Sequence, residues 1–327
     1  MKTALKVTGS LLGLGVVLIS GVLIYVSAFL PNVGPAPEMS IEVTADRVER
    51  GKHLANDVMA CMHCHTPHNK KQFVNPVDST MMGAGGVLFG KEEEGLPGNY
   101  YSRNITPAAL GDWSDGEIFR AITQGVSKDG SALFPIMPWP NYAQLDEEDI
   151  KDIIAYLRTL EPVEHEVPAS KSDFPMNFII NTMPAAPDFS TKPDISDRVA
   201  YGKYLVTSAS CSDCHTPWDK GEPTPGMAFA GGNEFKLVTG GTVRTANITP
   251  HMQTGIGSWT EEAFLKRFRA HNDPEFQHFD IAEGSFNTVM PWMNYSKMSD
   301  EELKSIFAYL QSLDPVENLV VRFTPEE

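Results

Sequence analysis

The sequence contains little cysteine and comparatively little positive charge. Four of its 327 residues are cysteine, and none lies near the N-terminus, which argues against a lipoprotein anchor. Lysine and arginine number 26 against 42 aspartate and glutamate residues, so the formal charge is -16. A chain this acidic has no attraction to nucleic acid or anionic lipid, but it would be steered towards a basic patch on a protein partner. Strand-like alternation of polar and apolar residues is also scarce, which favours helices.

All four cysteines fall in two copies of one motif, C-x-x-C-H, at residues 61–65 and 211–215. In this motif the thiols form thioethers to heme vinyl groups, and the histidine binds the iron. A zinc site would require a closed set of four ligands, and a thioredoxin-like site would require a βαβ pattern that the sequence lacks. A pair of disulfides is the remaining alternative. The motifs predict two covalently attached heme c groups, bound through Cys61, Cys64, His65, Cys211, Cys214 and His215.

Residues 7–30 form an uncharged apolar run that follows Lys2 and Lys6. As a helix these 24 residues would reach about 36 Å, more than the roughly 30 Å hydrocarbon core of a bilayer. The preceding lysines predict a cytoplasmic N-terminus and heme domains on the periplasmic side of the inner membrane. The alternative is a cleaved secretory signal, for which residues 26–28 (Val-Ser-Ala) offer a site, although signal cores usually span only about 7–15 residues.

The second half of the sequence repeats the first. Four motifs recur in the same order: Gly-Lys-x-Leu (51–54 and 202–205), Asn-Ile-Thr-Pro (104–107 and 247–250), Met-Pro-Trp (137–139 and 290–292) and Ala-Tyr-Leu (155–157 and 308–310). Capping boxes at Ser114–Glu117 and Ser299–Glu302 predict helix starts. We therefore expect an all-α fold of two tandem class I-like cytochrome c domains after an N-terminal transmembrane helix.

The repeat also predicts the domain limits. They are an anchor or signal segment at 1–30, an extended spacer at 31–44, a first cytochrome c domain at 45–165, a linker at 166–194, a second cytochrome c domain at 195–320 and a tail at 321–327. The linker contains an apolar run at 174–180 that a flexible linker would not need. We expect this run to pack at the domain junction; the alternative is a local core segment of one domain.

Each heme iron needs a sixth ligand or an open position. Met137 and Met290 are the candidates, because they occupy matching positions in the repeat and each precedes a proline that stiffens its loop. The alternative is that both simply fill the core, since the chain has fourteen methionines. Further histidines near the first motif (His53, His63 and His68) lack counterparts in the second copy. Ligation by histidine and methionine would close both irons, so we expect outer-sphere one-electron transfer, no catalytic residue and no independent catalysis.

The residues around the Asn-Ile-Thr-Pro motifs are candidates for contacts to the heme propionates. Amide and hydroxyl groups can donate hydrogen bonds to a carboxylate, and an indole can donate or pack against the porphyrin edge. The candidates are Asn104, Thr106, Trp113, Asn247, Thr249 and Trp259. The alternative is a turn followed by a proline at a helix start.

The ordered motifs resemble those of the c-type cytochrome subunits of membrane-bound alcohol, gluconate and fructose dehydrogenases. The resemblance covers nearly everything after residue 45 and includes the Phe-Pro-Met-Asn sequence of the linker. It implies heme attachment at the four cysteines, proximal ligation by the two motif histidines and distal ligation by Met137 and Met290. Those subunits typically carry three hemes and a C-terminal membrane segment, whereas this sequence has two motifs and ends in Thr-Pro-Glu-Glu.

These observations predict a membrane-anchored diheme cytochrome that carries single electrons in a respiratory chain. Its partners would be a membrane dehydrogenase or respiratory complex and a terminal acceptor with a basic docking patch. The alternatives are an electron-accepting subunit of a dehydrogenase complex, a docking subunit, and a diheme peroxidase. A peroxidase needs an open iron position, which the paired Met-Pro-Trp motifs disfavour. Diheme enzymes with a cysteine ligand would need a fifth cysteine.

Overall fold

The computed structural model describes residues 2–273, 276 and 278–326. It begins with helix α1, Lys2–Phe29. The section Ser10–Phe29 has a mean hydropathy of 2.4 and is long and apolar enough to cross a membrane, although a signal sequence would meet the same criterion.

The first domain is built from one- to three-turn helices. They are α2 (Ala45–His53), α3 (Cys61–Cys64), α4 (Pro107–Leu110), α5 (Asp115–Gln124), α6 (Trp139–Tyr142) and α7 (Glu147–Leu157). Helix α2 starts at Thr44, whose hydroxyl accepts a hydrogen bond from the backbone N–H of Arg47. The predicted capping box of Ser114 and Glu117 is confirmed at the start of α5.

The second domain repeats this arrangement after a one-turn linker helix. Its elements are α8 (Met176–Ile179) in the linker, then α9 (Arg198–Ser208), α10 (Cys211–His215), α11 (Glu261–Arg269), α12 (Trp292–Tyr295) and α13 (Asp300–Gln311). The capping box of Ser299 and Glu302 is confirmed at the start of α13. Fully buried aliphatic side chains of α13, such as Leu303 and Ile306, face the core.

The repeated glycine of the Gly-Lys-x-Leu motif is explained by helix packing. Helix α2 packs against α7, and α9 packs against α13. A Cβ atom at Gly51 would lie 1.9 Å from the backbone oxygen of Asp152, and one at Gly202 would lie 1.9 Å from that of Ser305. Only glycine allows each pair of helices to approach this closely.

The expectation of a purely helical fold is corrected by three small antiparallel sheets. The strands are β1 (Leu88–Phe89), β2 (Gly98–Tyr101), β3 (Lys171–Ser172), β4 (Trp218–Asp219), β5 (Glu222–Pro223), β6 (Glu234–Lys236), β7 (Thr242–Arg244) and β8 (Phe323–Thr324). The orders are β1-β2-β3, β4-β5 and β6-β7-β8. Strands of two to four residues are too short to show an alternating pattern, so the sequence did not reveal them. Strands β3 and β8 follow the last helix of the first and second domain, respectively. Strand β3 pairs with β2, and β8 pairs with β7.

The two domains meet through reciprocal contacts that follow the repeat. The Nε2 atom of His53 in α2 lies 2.9 Å from Oε1 of Glu302 in the second domain. The hydroxyl of Tyr204, which occupies the same motif position in α9, donates to Oδ2 of Asp149 in the first domain at 2.8 Å. The two acids are 153 residues apart, which is the offset of the repeat. Each domain therefore binds the C-terminal helix of the other through equivalent positions.

A buried cluster of polar groups adds a third interdomain contact. The side chain of Asn287 accepts from the backbone N–H of Val74 at 3.1 Å and donates to Oδ1 of Asn75 at 2.9 Å. The Asn75 amide in turn donates to the backbone oxygen of Thr288. Because buried polar groups are costly unless paired, this network specifies one relative position of the domains.

The apolar linker run 174–180 lies elsewhere than at the junction, where we expected it. Helix α8 packs against α1, and Asn177 and Ile180 line a cavity of the first domain. The run is not a core segment of one domain either, because no residue of α8 or of the turn that follows it is buried.

Candidate heme sites

The first domain encloses a cavity of about 1260 Å³ that brings the predicted heme ligands together. Cys61, Cys64 and His65 line this cavity, and Met137 lines it as well. Apolar side chains form much of the remaining wall, among them Leu110, Ile118, Ile122, Leu133, Phe134 and Leu157. This volume exceeds the roughly 300–1000 Å³ of usual small-molecule pockets, so the cavity has room for a porphyrin beside the thiol and imidazole groups.

Both motif histidines are oriented by a backbone carbonyl. Nδ1 of His65 lies 2.7 Å from the oxygen of Arg103, and Nδ1 of His215 lies 2.8 Å from the oxygen of Ala246. A donor hydrogen bond from Nδ1 leaves Nε2 with its lone pair free for a metal. Burial lowers the pKa of both rings, that of His215 to about 4, so both are neutral at pH 7. Each histidine is therefore prepared to bind iron through Nε2.

The Asn-Ile-Thr-Pro motif holds the carbonyl that orients the histidine. In the first copy, Asn104 follows Arg103 directly and its amide donates to the backbone oxygen of Val163 at 2.8 Å. Its Oδ1 atom accepts from the backbone N–H and the hydroxyl of Thr106, at 2.9 and 2.8 Å. The hydroxyl oxygen of Thr106 accepts a hydrogen bond from the backbone N–H of Val163 at 3.2 Å. We call this set of hydrogen bonds the Asn-Thr clamp.

The second domain contains the same clamp. Asn247 donates to the oxygen of Val316 at 2.8 Å and accepts from the N–H and hydroxyl of Thr249, at 2.9 and 2.7 Å. In both copies the threonine gives its one hydroxyl proton to the asparagine. These bonds hold the chain beside the carbonyl that accepts from each motif histidine, and the contact of the same side chains with a propionate stays a prediction.

The four cysteines are unpaired in the structure. Burial raises the pKa of Cys61 to about 12 and that of Cys64 to about 11, and it raises the pKa of Cys211 and Cys214 to about 12. Among residues 2–273, 276 and 278–326, no group of three or more His, Cys, Asp or Glu side chains is arranged to hold a metal ion.

The methionine loops have the same backbone geometry in both domains. The N–H of Trp139 bonds the oxygen of Met137 at 2.7 Å, and the N–H of Trp292 bonds that of Met290 at 2.7 Å. Met137 lines the first cavity, and Met290 packs against the core of the second domain, as Cys211 does. Ligation of iron by the two methionines stays a prediction.

The tryptophan of each Met-Pro-Trp motif anchors its loop, a role that the sequence analysis missed. The indole N–H of Trp139 donates to the oxygen of Leu133 at 3.1 Å. Trp292 stacks on the buried ring of His271 with centroids 4.7 Å apart, and the guanidinium of Arg267 lies 4.5 Å from its ring centre. The repetition of tryptophan at both positions was the signal that could have indicated this role.

The predicted tryptophan contacts differ between the domains. Trp113 lines the first cavity and is partly buried. Trp259, its counterpart, is 38% exposed.

The two attachment motifs lie close together across the domain interface. Burial, Asp213 and the thiol of Cys64 in the other domain together raise the pKa of Cys214. The buried Tyr142 and the partly buried Tyr295 share this region. Burial, the first-domain thiols and Tyr295 raise the pKa of Tyr142, while burial, the second-domain thiols and Cys64 raise that of Tyr295. Both tyrosines belong to an Asn-Tyr pair that follows Met-Pro-Trp in each half of the chain, at residues 141–142 and 294–295.

The asparagines of these Asn-Tyr pairs also cross the interface. The amide of Asn141 donates to Oδ2 of Asp213, inside the second attachment motif, at 3.0 Å. Its counterpart Asn294 donates to the backbone oxygen of Asn56, shortly before the first motif, at 2.6 Å. Each methionine loop therefore contacts the heme-attachment region of the other domain.

Comparison with known proteins matches both halves of the chain. A family model described as cytochrome c matches residues 48–161 and 199–314. The cytochrome c subunit of alcohol dehydrogenase (quinone) from Komagataeibacter europaeus is 28% identical over 309 residues, covering 89% of this chain and 61% of the relative. The fructose dehydrogenase cytochrome subunit of Gluconobacter japonicus is 28% identical over 296 residues, covering 86% and 56%.

A shorter relative matches over most of its own length. The diheme cytochrome c-type protein of Cereibacter sphaeroides is 26% identical over 230 residues, which cover 67% of this chain and 73% of the relative. The chain spans about three fifths of the length of the two dehydrogenase subunits above.

Proposed function

Because this chain belongs to the cytochrome c family, with one matched domain around each attachment motif, we propose that it is a membrane-anchored diheme electron carrier. The contact of each methionine loop with the attachment region of the other domain, through Asn141 to Asp213 at 3.0 Å and Asn294 to Asn56 at 2.6 Å, is the observation that carries this proposal. When bound, each heme supplies one-electron chemistry by cycling between Fe(III) and Fe(II). One chain would hold two such groups in domains that contact each other, so electrons could pass within one molecule.

The residues of each domain have defined tasks in this proposal. Cys61, Cys64, Cys211 and Cys214 attach the two porphyrins. His65 and His215 bind iron through Nε2 while the Asn-Thr clamps hold their orientation. Met137 and Met290 would supply the remaining iron ligands, which would leave no site for peroxide or oxygen.

The partner that we propose is a membrane dehydrogenase. Relatives named as cytochrome subunits of alcohol, fructose and gluconate dehydrogenases support this choice. Helix α1 would hold the chain at the inner membrane with both heme domains on the periplasmic side. Beyond residue 30 the chain has 24 basic and 42 acidic residues, a charge of -18 that would steer it to a basic patch on an acceptor.

The experiment that tests the relay is rapid reduction of one heme per molecule followed by observation of electron redistribution. We expect a redistribution phase whose rate does not change with protein concentration, because both hemes belong to one chain. A rate that rises in proportion to concentration would mean that electrons move only by collision between molecules, and the proposal would fail.

The methionine ligands have a test of their own. Substitution Met137→Ala should abolish one half of the weak near-infrared absorption typical of methionine-ligated ferric heme. It should also lower one of the two reduction potentials, because a thioether ligand raises the potential of its heme. Met252→Ala is the matched control, because that side chain is 58% exposed. Unchanged potentials in Met137→Ala would refute the assignment, and rapid turnover of hydrogen peroxide by the native protein would favour the peroxidase alternative.

A further inference from the structure

The apolar linker run exposes large apolar side chains. Phe174 is 78% exposed and Ile179 is 42% exposed. The rings of Phe174 and Phe178 form an edge-to-face pair with centroids 6.3 Å apart, so the segment has a defined shape. Exposed apolar surface of this kind marks a site of interaction.

The linker run lies beside the outer end of helix α1. Helix α8 and the turn Ile180–Thr182 both pack against α1. Among the described side chains of α1, Val26 is buried and only 9% exposed. Val17 and Ile24 are 67% and 65% exposed. The contact between linker and helix therefore lies near residue 26, close to the end of the helix at Phe29.

Helix geometry relates this contact to the depth of a bilayer. The apolar section Ser10–Phe29 has 20 residues, and at 1.5 Å per residue it measures about 30 Å, the thickness of the hydrocarbon core. Val26 would then lie about 4–5 Å inside the boundary. A segment packed against it must lie at the level where hydrocarbon gives way to lipid head groups.

The aromatic side chains at this level fit that environment. On α1, Tyr25 and Phe29 are 55% and 65% exposed and stack with ring centroids 5.7 Å apart. Phe174 and Phe178 contribute a second aromatic pair from the linker. Aromatic residues are enriched at the interfaces of membrane proteins.

We propose that residues 174–179 form a second membrane contact, in which Phe174 and Ile179 insert into the head-group boundary of the lipid bilayer beside α1. This inference rests on the proposed membrane anchoring by α1. It has a further consequence for the fold, since Asn177 and Ile180 of the same run line the cavity of the first domain. The first heme site would therefore lie against the membrane and the second farther from it.

The test uses the full chain with both hemes, reconstituted in lipid vesicles and carrying one nitroxide label at a time. Labels at Phe174→Cys, Val17→Cys and Leu319→Cys report the linker run, the interior of α1 and an equally exposed apolar site of the second domain; Leu319 is 80% exposed. Collision of each label with oxygen, which concentrates in lipid, is compared with collision with a water-soluble nickel complex.

We expect the label at 174 to show an oxygen-to-nickel ratio several-fold above that at 319 and below that at 17. A lipid-like ratio at 17 together with a water-like ratio at 174 would overturn the second contact and leave the anchor intact. Water-like ratios at both 17 and 174 would overturn the anchor as well. Protection of 174 from both reagents would mean that protein covers it, which also contradicts the proposal.

A second measurement on the native chain avoids the effect of new cysteines on heme attachment. A photoactivated carbene reagent dissolved in the bilayer should modify the peptide around 174–179 and leave the peptide around 319 unmodified. Absence of modification at 174–179, while α1 is modified, would overturn the proposal.

Discussion

His53 makes the interface between the domains sensitive to pH. Its ring bonds Oδ2 of Asp57 at 3.0 Å and Oε1 of Glu302 at 2.9 Å. These hydrogen bonds raise the pKa of His53 from 6.5 to about 9. Because the folded protein binds this proton more tightly than the unfolded chain, the contribution to stability is fully present below pH 6.5 and is lost as the pH rises towards 9.

The size of the effect follows from the difference in pKa. A difference of about 2.5 units corresponds to about 3 kcal/mol at 1.36 kcal/mol per unit. The His53 side chain is 27% exposed, so solvent screening reduces our expectation to about 2 kcal/mol. We expect the free energy of unfolding to fall by this amount more in the native protein than in His53→Gln between pH 6 and pH 10.

The measurement is denaturant unfolding of the heme-loaded protein across this pH range, monitored by tryptophan fluorescence and heme absorbance. All other titrating groups are common to both proteins, so the difference between the two curves isolates His53. Substitution His53→Tyr is the matched variant, because tyrosine occupies the equivalent position 204 and bonds Asp149. Parallel curves for the native protein and His53→Gln would refute the reasoning.

Two further predictions concern the repeated motifs. Asn104→Ala removes two buried hydrogen bonds and a partly buried one, so we expect a loss of about 3 kcal/mol of stability. It should also shift the reduction potential of the first heme alone, as Asn247→Ala should shift that of the second. Redox titration measures both potentials, and equal shifts of both hemes in either variant would contradict the prediction. Gly51→Ala places a Cβ 1.9 Å from a backbone oxygen and should cost at least about 1–3 kcal/mol. Gly21→Ala, which meets nothing within 4 Å, should cost nothing; equal melting temperatures of the two variants would show that α2 and α7 can separate freely.

Local features of this protein could be predicted from the sequence because they depend on residues close together in the chain. The two attachment motifs and the capping boxes at Ser114 and Ser299 are of this kind. Glu302 shows the limit of such prediction. Its role in the capping box follows from a residue three positions away, but its bond to His53 joins positions 249 residues apart.

The heme sites show the same division. The repeat identified Asn104 and Thr106 as important, and the structure shows which groups they bond. Their partner Val163 lies 59 residues after Asn104, in a segment that has no motif of its own. The interdomain position of Tyr142 and Tyr295 was likewise beyond prediction, since it depends on how two domains pack. Strands of two residues, such as β1, were missed because they are paired by tertiary contacts and have no periodicity.

The Asn-Thr clamp has a consequence for the order in which each domain is made. The attachment motif at residues 61–65 leaves the ribosome about a hundred residues before Val163, which closes the clamp, and residues 211–215 precede Val316 by a similar length. While a domain is incomplete, the carbonyl that orients its histidine is not yet held in place. The orientation of each proximal histidine thus depends on the C-terminal part of its domain, and a chain that ended before Val163 or Val316 would have a complete attachment motif without a closed clamp.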